Sequence, residues 1–220
     1  MAKAGIILSG CGVRDGSEIH ETVCTLLALA KYAIEPVFFA PNIPQAEVIN
    51  HVENVVLAGE GRNVLLESAR IARGNITDLA KASADHLGAV IFPGGSGVIK
   101  NLSTFAAEGV NCRVNAHVER IILDMHAAGK PIGALCIAPV LVAKVLGSRG
   151  IKVTVTIGND RATASILEQM GARHVNCPAD QCAVDAEHKV VTCPCYMLAK
   201  SAEEVYRGVK QLAAEVLKLT

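Results

Sequence analysis

Tryptophan is absent from this chain, and only four phenylalanines and three tyrosines are spread over 220 residues. Stacking platforms for bases or sugars are therefore scarce. The core must be built from Val, Ile, Leu and Ala. Charge of one sign is also lacking: Lys plus Arg total 21 and Asp plus Glu total 21, so the formal net charge is zero. That argues against nucleic acid or an anionic membrane as a general partner. Long apolar runs are missing too. The longest uncharged one, Pro131 to Ala143, has 13 residues and contains Gly133 and Pro139, whereas a membrane span needs ~18 or more. Two common motifs are absent: no C-x-x-C for a zinc ribbon or thioredoxin-type site, and no G-x-x-x-x-G-K-[ST] phosphate loop. Hydrophobic residues at 51% and charged residues at 19% exclude a disordered chain.

What is present in excess is cysteine. Eight occur, at Cys11, Cys24, Cys112, Cys136, Cys177, Cys182, Cys193 and Cys195. The start, Met1 to Ala4 running into Gly5, Ile6, Ile7 and Leu8, is too short for the apolar segment of a signal peptide. The expectation is a reducing compartment with free thiols: the cytoplasm, or a mitochondrion if a transit peptide has been removed. The densest cluster is His174, Cys177, Cys182, His188, Cys193 and Cys195. Its spacings fit no standard metal site, so no metal is expected. These cysteines are read as small apolar fillers on a hairpin.

The hydrophobic pattern alternates strand and helix. Strands are expected at 5–9, 36–40, 89–92, 132–135 and 152–157, with a hairpin from 183–185 and 189–192. Helices are expected from 19 to about 30, then at 62–73, 77–86, around Val114 to Met125, at 139–146, at 162–170, and from Val205 to Leu219. The stretch 45–61 is less regular. Asp15, Gly16 and Ser17 carry turn and helix N-cap chemistry. Strands separated by helices imply βαβ units. With no internal repeat and no linker, residues 1–220 are expected to form one α/β domain: a three-layer sandwich, its sheet mostly parallel, helices on both faces. In such sheets ligands bind beyond the carboxyl ends of the strands, so the strand-to-helix turns are the places to search.

Three turns carry chemistry. At the first, Cys136 lies between a strand and a helix that opens at Pro139. This is the position of a nucleophile elbow, and a helix N-terminus is expected to lower the thiol's pKa. The alternative is a buried structural cysteine. The second is the run PGGSG at 93–97, whose glycines let backbone N–H groups approach an oxygen closely. An oxyanion hole is expected there, from Gly94 and Gly95 together with the amide of Ile137; a plain tight turn is the alternative. The third opens the first helix with Glu18, His20 and Glu21. A carboxyl beside a thiol can shuttle a proton, although acidic residues also favour a first helical turn for dipole reasons alone.

Together these turns resemble the PfpI-like superfamily within the class I glutamine amidotransferase-like fold. The closest resemblance is to the ElbB family of isoprenoid-biosynthesis-associated, glyoxalase-like proteins. The matching stretches are ILSGCGV at 7–13, DGSEIHE at 15–21, RNVL at 62–65, SARIARG at 68–74, PGG at 93–95, KNLS at 100–103 and CIAP at 136–139. By position, Cys136 resembles the elbow nucleophile, Glu21 the carboxyl that bonds it, and Gly95 the oxyanion glycine. The resemblance implies a glutathione-independent glyoxalase that turns glyoxal or methylglyoxal into a 2-hydroxy acid through a hemithioacetal on Cys136. Glu21, assisted by His20, would move the proton; no cofactor is implied, and a homodimer is. A non-enzymatic redox-sensing or binding protein with an oxidisable Cys136 is the alternative. An amidase on a nitrogen substrate comes third. Ile137 stands where many superfamily hydrolases have His, and the pairs His51 with Glu53 and His117 with Glu119 lie upstream of the cysteine, unlike those of amidotransferases.

Overall fold

Short apolar runs bounded by turn residues become strands here, and longer stretches of helical periodicity become helices. The computed structural model describes residues 3–220. Its strands are β1 (Lys3–Ile7), β2 (Glu35–Ala40), β3 (Ile49–Asn50), β4 (Val55–Val56), β5 (Ile76–Asp78), β6 (Ala89–Phe92), β7 (Ile132–Leu135), β8 (Thr154–Val155), β9 (Arg173–His174), β10 (Ala183–Asp185) and β11 (Val190–Cys193). Its helices are α1 (Ile19–Ala30), α2 (Val64–Ile71), α3 (Ser96–Lys100), α4 (Phe105–Glu108), α5 (Ala116–Ala127), α6 (Pro139–Gly147), α7 (Arg161–Gln169) and α8 (Ala202–Lys218).

Seven strands form the central sheet in the order β10-β11-β7-β6-β1-β2-β5. Every pairing is parallel except β10 with β11. Parallel neighbours require crossovers, which the helices supply. One face of the sheet presents Ile7, Val90, Phe92, Ile132 and Val190 to α5 and α6, through Val118, Ile121, Ile122, Leu141 and Val145. The other presents Ile6, Leu8, Ile91, Leu135 and Val191 to α1 and α8, through Ala28, Leu29, Val205, Val209 and Leu212. The expected three-layer α/β architecture, with its C-terminal-half hairpin, is the one observed. Strands β6 and β7 are buried at every residue. That is what a strand covered on both faces requires, and why they read as unbroken apolar runs.

Local differences have local causes. Residues 77–86 are not a helix. Ile76–Asp78 extends the sheet as its edge strand against β2. Two single 3₁₀ turns follow, Leu79–Lys81 and Ala84–His86, each started by its own cap: Asp78 accepts from the Ala80 amide and Ser83 from the Asp85 amide. A cap every five residues restarts the chain before a helix can propagate. The irregular stretch 45–61 contains the small β3–β4 hairpin. The strand expected at 152–157 is shorter and lies off the main sheet, paired in parallel with β9. Helix α1 is capped by Glu18, whose carboxylate accepts from the Glu21 amide, and not by residues 15–17.

Candidate active site

Asp15 and Ser17 instead tie loops together. The Ser9 amide donates to Ser17 Oγ at 2.8 Å, and the Ile49 amide to Asp15 Oδ2 at 2.8 Å. Asn101 Nδ2 donates to the carbonyls of both Ser9 and Asp15, each at 2.8 Å. The loop after β1 is then zipped to the glycine turn after β6: the Glu18 amide reaches the Gly94 carbonyl at 2.9 Å, and the Gly97 amide the Gly16 carbonyl at 2.9 Å. Only glycine permits this approach. A Cβ on Gly95, whose φ is +100°, would lie 2.4 Å from the Gly16 carbonyl oxygen.

Against this clamp sits Cys136, at the end of β7. Its φ is +57°, a left-handed conformation costly for a side-chain-bearing residue and typical of a strained elbow. The Cys193 carbonyl holds it there by accepting the Cys136 amide at 2.9 Å. Pro139 starts α6 at once, where its missing N–H does no harm. The amides of Ile137 and Gly95 both bond the sulfur, and the Glu21 carboxyl is its side-chain partner.

Glu21 is fully buried. One carboxyl oxygen accepts the Gly94 amide at 2.8 Å, the other the Tyr196 amide at 3.2 Å. Burial, reinforced by the nearby Glu18 charge, still raises its pKa to about 8. The thiol is likewise pushed well above its ordinary value, by burial first and by Glu21 second; the Ile137 and Gly95 amides pull the other way and lose. This corrects the expectation of a thiol acidified by its helix. Desolvation of a buried sulfur outweighs two amide dipoles. Thiol and carboxyl therefore titrate as one coupled pair.

Gly94 is displaced from the role expected of it, because its amide is spent on Glu21. What it contributes is absence: a Cβ there would sit 2.5 Å from Cys136 Cβ and 2.7 Å from Glu21 Oε2. His20 is also displaced. It is exposed, and its Nδ1 lies 2.8 Å from the Tyr196 hydroxyl. No histidine is among the groups acting on Cys136. His174 is used by the Ile157 amide and His188 faces His126. Cys24 lies close enough to Glu18 and Glu21 to feel their charge, whereas Cys11 faces Glu67 and Arg70. Sequence reasoning missed Cys193, Cys195 and Tyr196. All three follow from β11 lying beside β7, with Cys193 opposite Leu135, and a strand order of this kind has no local signature.

The site is closed. Cys136 is 8% exposed. The surface cavities of about 260 and 310 Å³ beside Lys100 are lined by neither Cys136 nor Glu21. Among the described residues no three His, Cys, Asp or Glu side chains are arranged to hold a metal ion, and no helix is long and apolar enough to cross a membrane.

No family model matches the chain, but relatives do. The chain is 47% identical to the human "glutamine amidotransferase-like class 1 domain-containing protein 3, mitochondrial", covering 100% of this chain and 84% of that protein. It is 45% identical to the rat "ES1 protein homolog, mitochondrial", with the same coverage. Among solved structures, an isoprenoid biosynthesis protein with an amidotransferase-like domain from Ehrlichia chaffeensis superposes with a TM-score of 0.92 at 35% identity, covering 99% of this chain and 100% of that one. Drosophila DJ-1beta shares the fold alone, with a TM-score of 0.53 at 17% identity. With the elbow cysteine, the buried glutamate and the glycine turn in place, the chain belongs to the glutamine amidotransferase-like class 1 domain family.

Proposed function

We propose that the protein is a glutathione-independent glyoxalase acting on small 2-oxoaldehydes. The observation that carries this reading is the Cys136–Glu21 pair, buried beside the amides of Gly95 and Ile137 with no histidine in contact. Such a pair can move one proton between neighbouring atoms, and its only further equipment is an oxyanion site.

The competent state holds one proton between sulfur and carboxyl. Sulfur gives its proton to Glu21 and attacks the aldehyde carbon. The resulting alkoxide is held by the amides of Gly95 and Ile137 and takes the proton back. The Glu21 carboxylate then moves hydrogen, through an enediol, from the carbon now bearing sulfur to the neighbouring carbon, while the hydroxyl proton on the first carbon passes to the oxygen on the second. This yields a thioester of the 2-hydroxy acid. Water hydrolyses it and restores the thiol. The net change is aldehyde plus water to hydroxy acid, with no external oxidant or reductant.

The test is methylglyoxal or glyoxal consumption without glutathione, with lactate or glycolate measured as product. The expected result is stoichiometric hydroxy acid from the wild type and none from Cys136→Ser. Loss of dicarbonyl without hydroxy acid would overturn the reading.

The enclosure of Cys136 supports a second reading, a redox sensor, because a peroxide enters a tighter site than a three-carbon aldehyde. Selective addition of one or two oxygens at Cys136, with no turnover, would favour it. An amidase is less well supported, since no histidine stands ready as base. The mitochondrial names of the human and rat relatives support a mitochondrial or cytoplasmic residence for this chain. Pairing into a homodimer is supported by the apolar stripe that α1 leaves exposed, Ile19, Val23 and Leu27 at four-residue spacing.

A further inference from the structure

Two cysteines at the end of the C-terminal hairpin, Cys193 and Cys195, lie together. Strands β10 and β11 pair Ala183 with Thr192, Val184 with Val191 and Asp185 with Val190. The next step in that register sets Cys182 opposite Cys193. Residues opposed in an antiparallel pair have Cα atoms about 4.5–5.5 Å apart, inside the range a disulfide spans. Cys182 Sγ donates to the Gly208 carbonyl at 3.7 Å and Cys193 Sγ to the Ala179 carbonyl at 3.4 Å, and Cys195 Sγ donates to Cys193 Sγ at 3.7 Å. Helix α8 makes room for these sulfurs: a Cβ on Gly208 would stand 2.7 Å from Cys193 Sγ. Cys182 is half-buried and reachable; Cys193 is fully buried. Cys195 donates to Cys193 Sγ, which favours a negative charge on Cys193 over Cys195.

We propose that Cys182 and Cys193 are a redox-active dithiol that closes to a reversible cross-strand disulfide, and that its state is felt at Cys136. The oxidant is a small disulfide, RSSR. Cys182 sulfur attacks RSSR and gives its proton to the departing RS⁻, which leaves as RSH. Cys193 sulfur then attacks Cys182 sulfur and expels the second RS⁻, which takes the Cys193 proton and leaves as RSH. One S–S bond is broken and one is formed; two protein sulfurs are oxidised and RSSR is reduced. The link to the site is short. The Cys193 carbonyl holds the Cys136 amide at 2.9 Å, and three residues on, the Tyr196 amide holds Glu21 at 3.2 Å.

The full chain would be equilibrated in glutathione buffers from reducing to oxidising, alkylated in acid, and digested with trypsin without reduction. Cleavage after Lys189 separates Cys182 from Cys193, and fragmentation assigns the sulfurs. The expected product is a Cys182–Cys193 link that disappears on reduction, persists in Cys136→Ser and is absent from Cys182→Ser. A glutathione adduct without a link, a Cys193–Cys195 link, or thiols that all stay free would overturn the proposal, and the wild-type map needs no variant to fold. The rate of iodoacetamide labelling at Cys136 should differ at least threefold between the two forms; equal rates would overturn the coupling. Neither readout depends on dicarbonyl turnover.

Discussion

Cys136 and Cys193 lie at the ends of neighbouring strands, one residue out of step, since Cys193 pairs with Leu135. Both sulfurs are buried, yet their partners differ in kind. Cys136 has turned off its strand into a left-handed conformation and meets a carboxyl and two amides. Cys193 remains in its strand and meets the Cys195 sulfur at 3.7 Å. The contrast shows that partner chemistry, rather than burial, sorts these cysteines. A sulfur beside a carboxyl has a proton to exchange; a sulfur beside sulfurs has electrons to exchange.

The sharpest way to break that comparison is to remove the partner of each sulfur. Glu21→Gln keeps the shape of the carboxyl but cannot accept a proton. It should lower hydroxy-acid formation at least ~100-fold, the scale of a positioned general acid–base group. Cys182→Ser should leave turnover within threefold of wild type. Equal losses in both variants would mean that the two sulfur groups act as one. Glu21→Gln should also change the pH profile. In the wild type the pair holds both protons well below pH 8 and sheds one as pH passes about 8, so Cys136 alkylation should rise with a midpoint near there. In Glu21→Gln that midpoint should be absent.

Gly94→Ala probes the packing between carboxyl and thiol. Its Cβ would press on Cys136 Cβ at 2.5 Å, an atom that moves only with its backbone, and on Glu21 Oε2 at 2.7 Å. Overpacking of this kind costs about 1–3 kcal/mol, read as a lowered urea midpoint. Unchanged stability would show that the elbow is looser than its contacts imply. Gly208→Ala is the matching change on the Cys193 side, where a sulfur at 2.7 Å must move. The thiol can rotate away, but the Ala179 carbonyl oxygen at 2.8 Å is backbone, so a comparable loss is expected there.

Linkage provides a gentler test. The folded-state pKa of Glu21, about 8, stands above its ordinary 4.5. Between those values the folded chain holds a proton that the unfolded chain has released. The Glu21 contribution is therefore favourable at pH 5 and is lost as pH rises through 8. Glu21→Gln should flatten the decline of Tm over that window. An identical decline in both proteins would place the titrating group elsewhere.

Much of this was legible in the chain itself, and the illegible parts share a cause. The turns at 93–97 and 136–139 announce themselves because each confines its requirement to a few consecutive residues: glycines for close approach, a proline for the first helical turn. Glu21 is legible as a carboxyl in the first turn of α1, and the resemblance carried by residues 15–21 supplied its partner. The Cys193 carbonyl and the Tyr196 amide carry no side-chain identity, so nothing in residues 190–196 marks them. They matter only because β11 falls beside β7, a non-local fact. The raised thiol pKa was illegible for a related reason: a helix N-terminus is visible in sequence, and complete desolvation is not. Residues 77–86 misled because their apolar spacing suits a helix, while Asp78 and Ser83 divide it.

The smallest expected effect belongs to His20, which stands next to Glu21 in sequence and invites a catalytic role. Successive helical residues lie about 100° apart around the axis, so burying Glu21 turns His20 outward. There its ring meets the Tyr196 hydroxyl at 2.8 Å and solvent. An exposed hydrogen bond of this sort contributes little, on the order of 1 kcal/mol or less. His20→Ala should therefore change kcat/KM for methylglyoxal less than threefold and leave the pH midpoint of Cys136 alkylation near 8. The same substitution would matter only if Tyr196, whose amide holds Glu21, were positioned through its hydroxyl. Tyr196→Phe separates the two cases. If both variants lose activity together, the histidine acts on the carboxyl through the tyrosine backbone; if neither does, Glu21 works with its two amides alone.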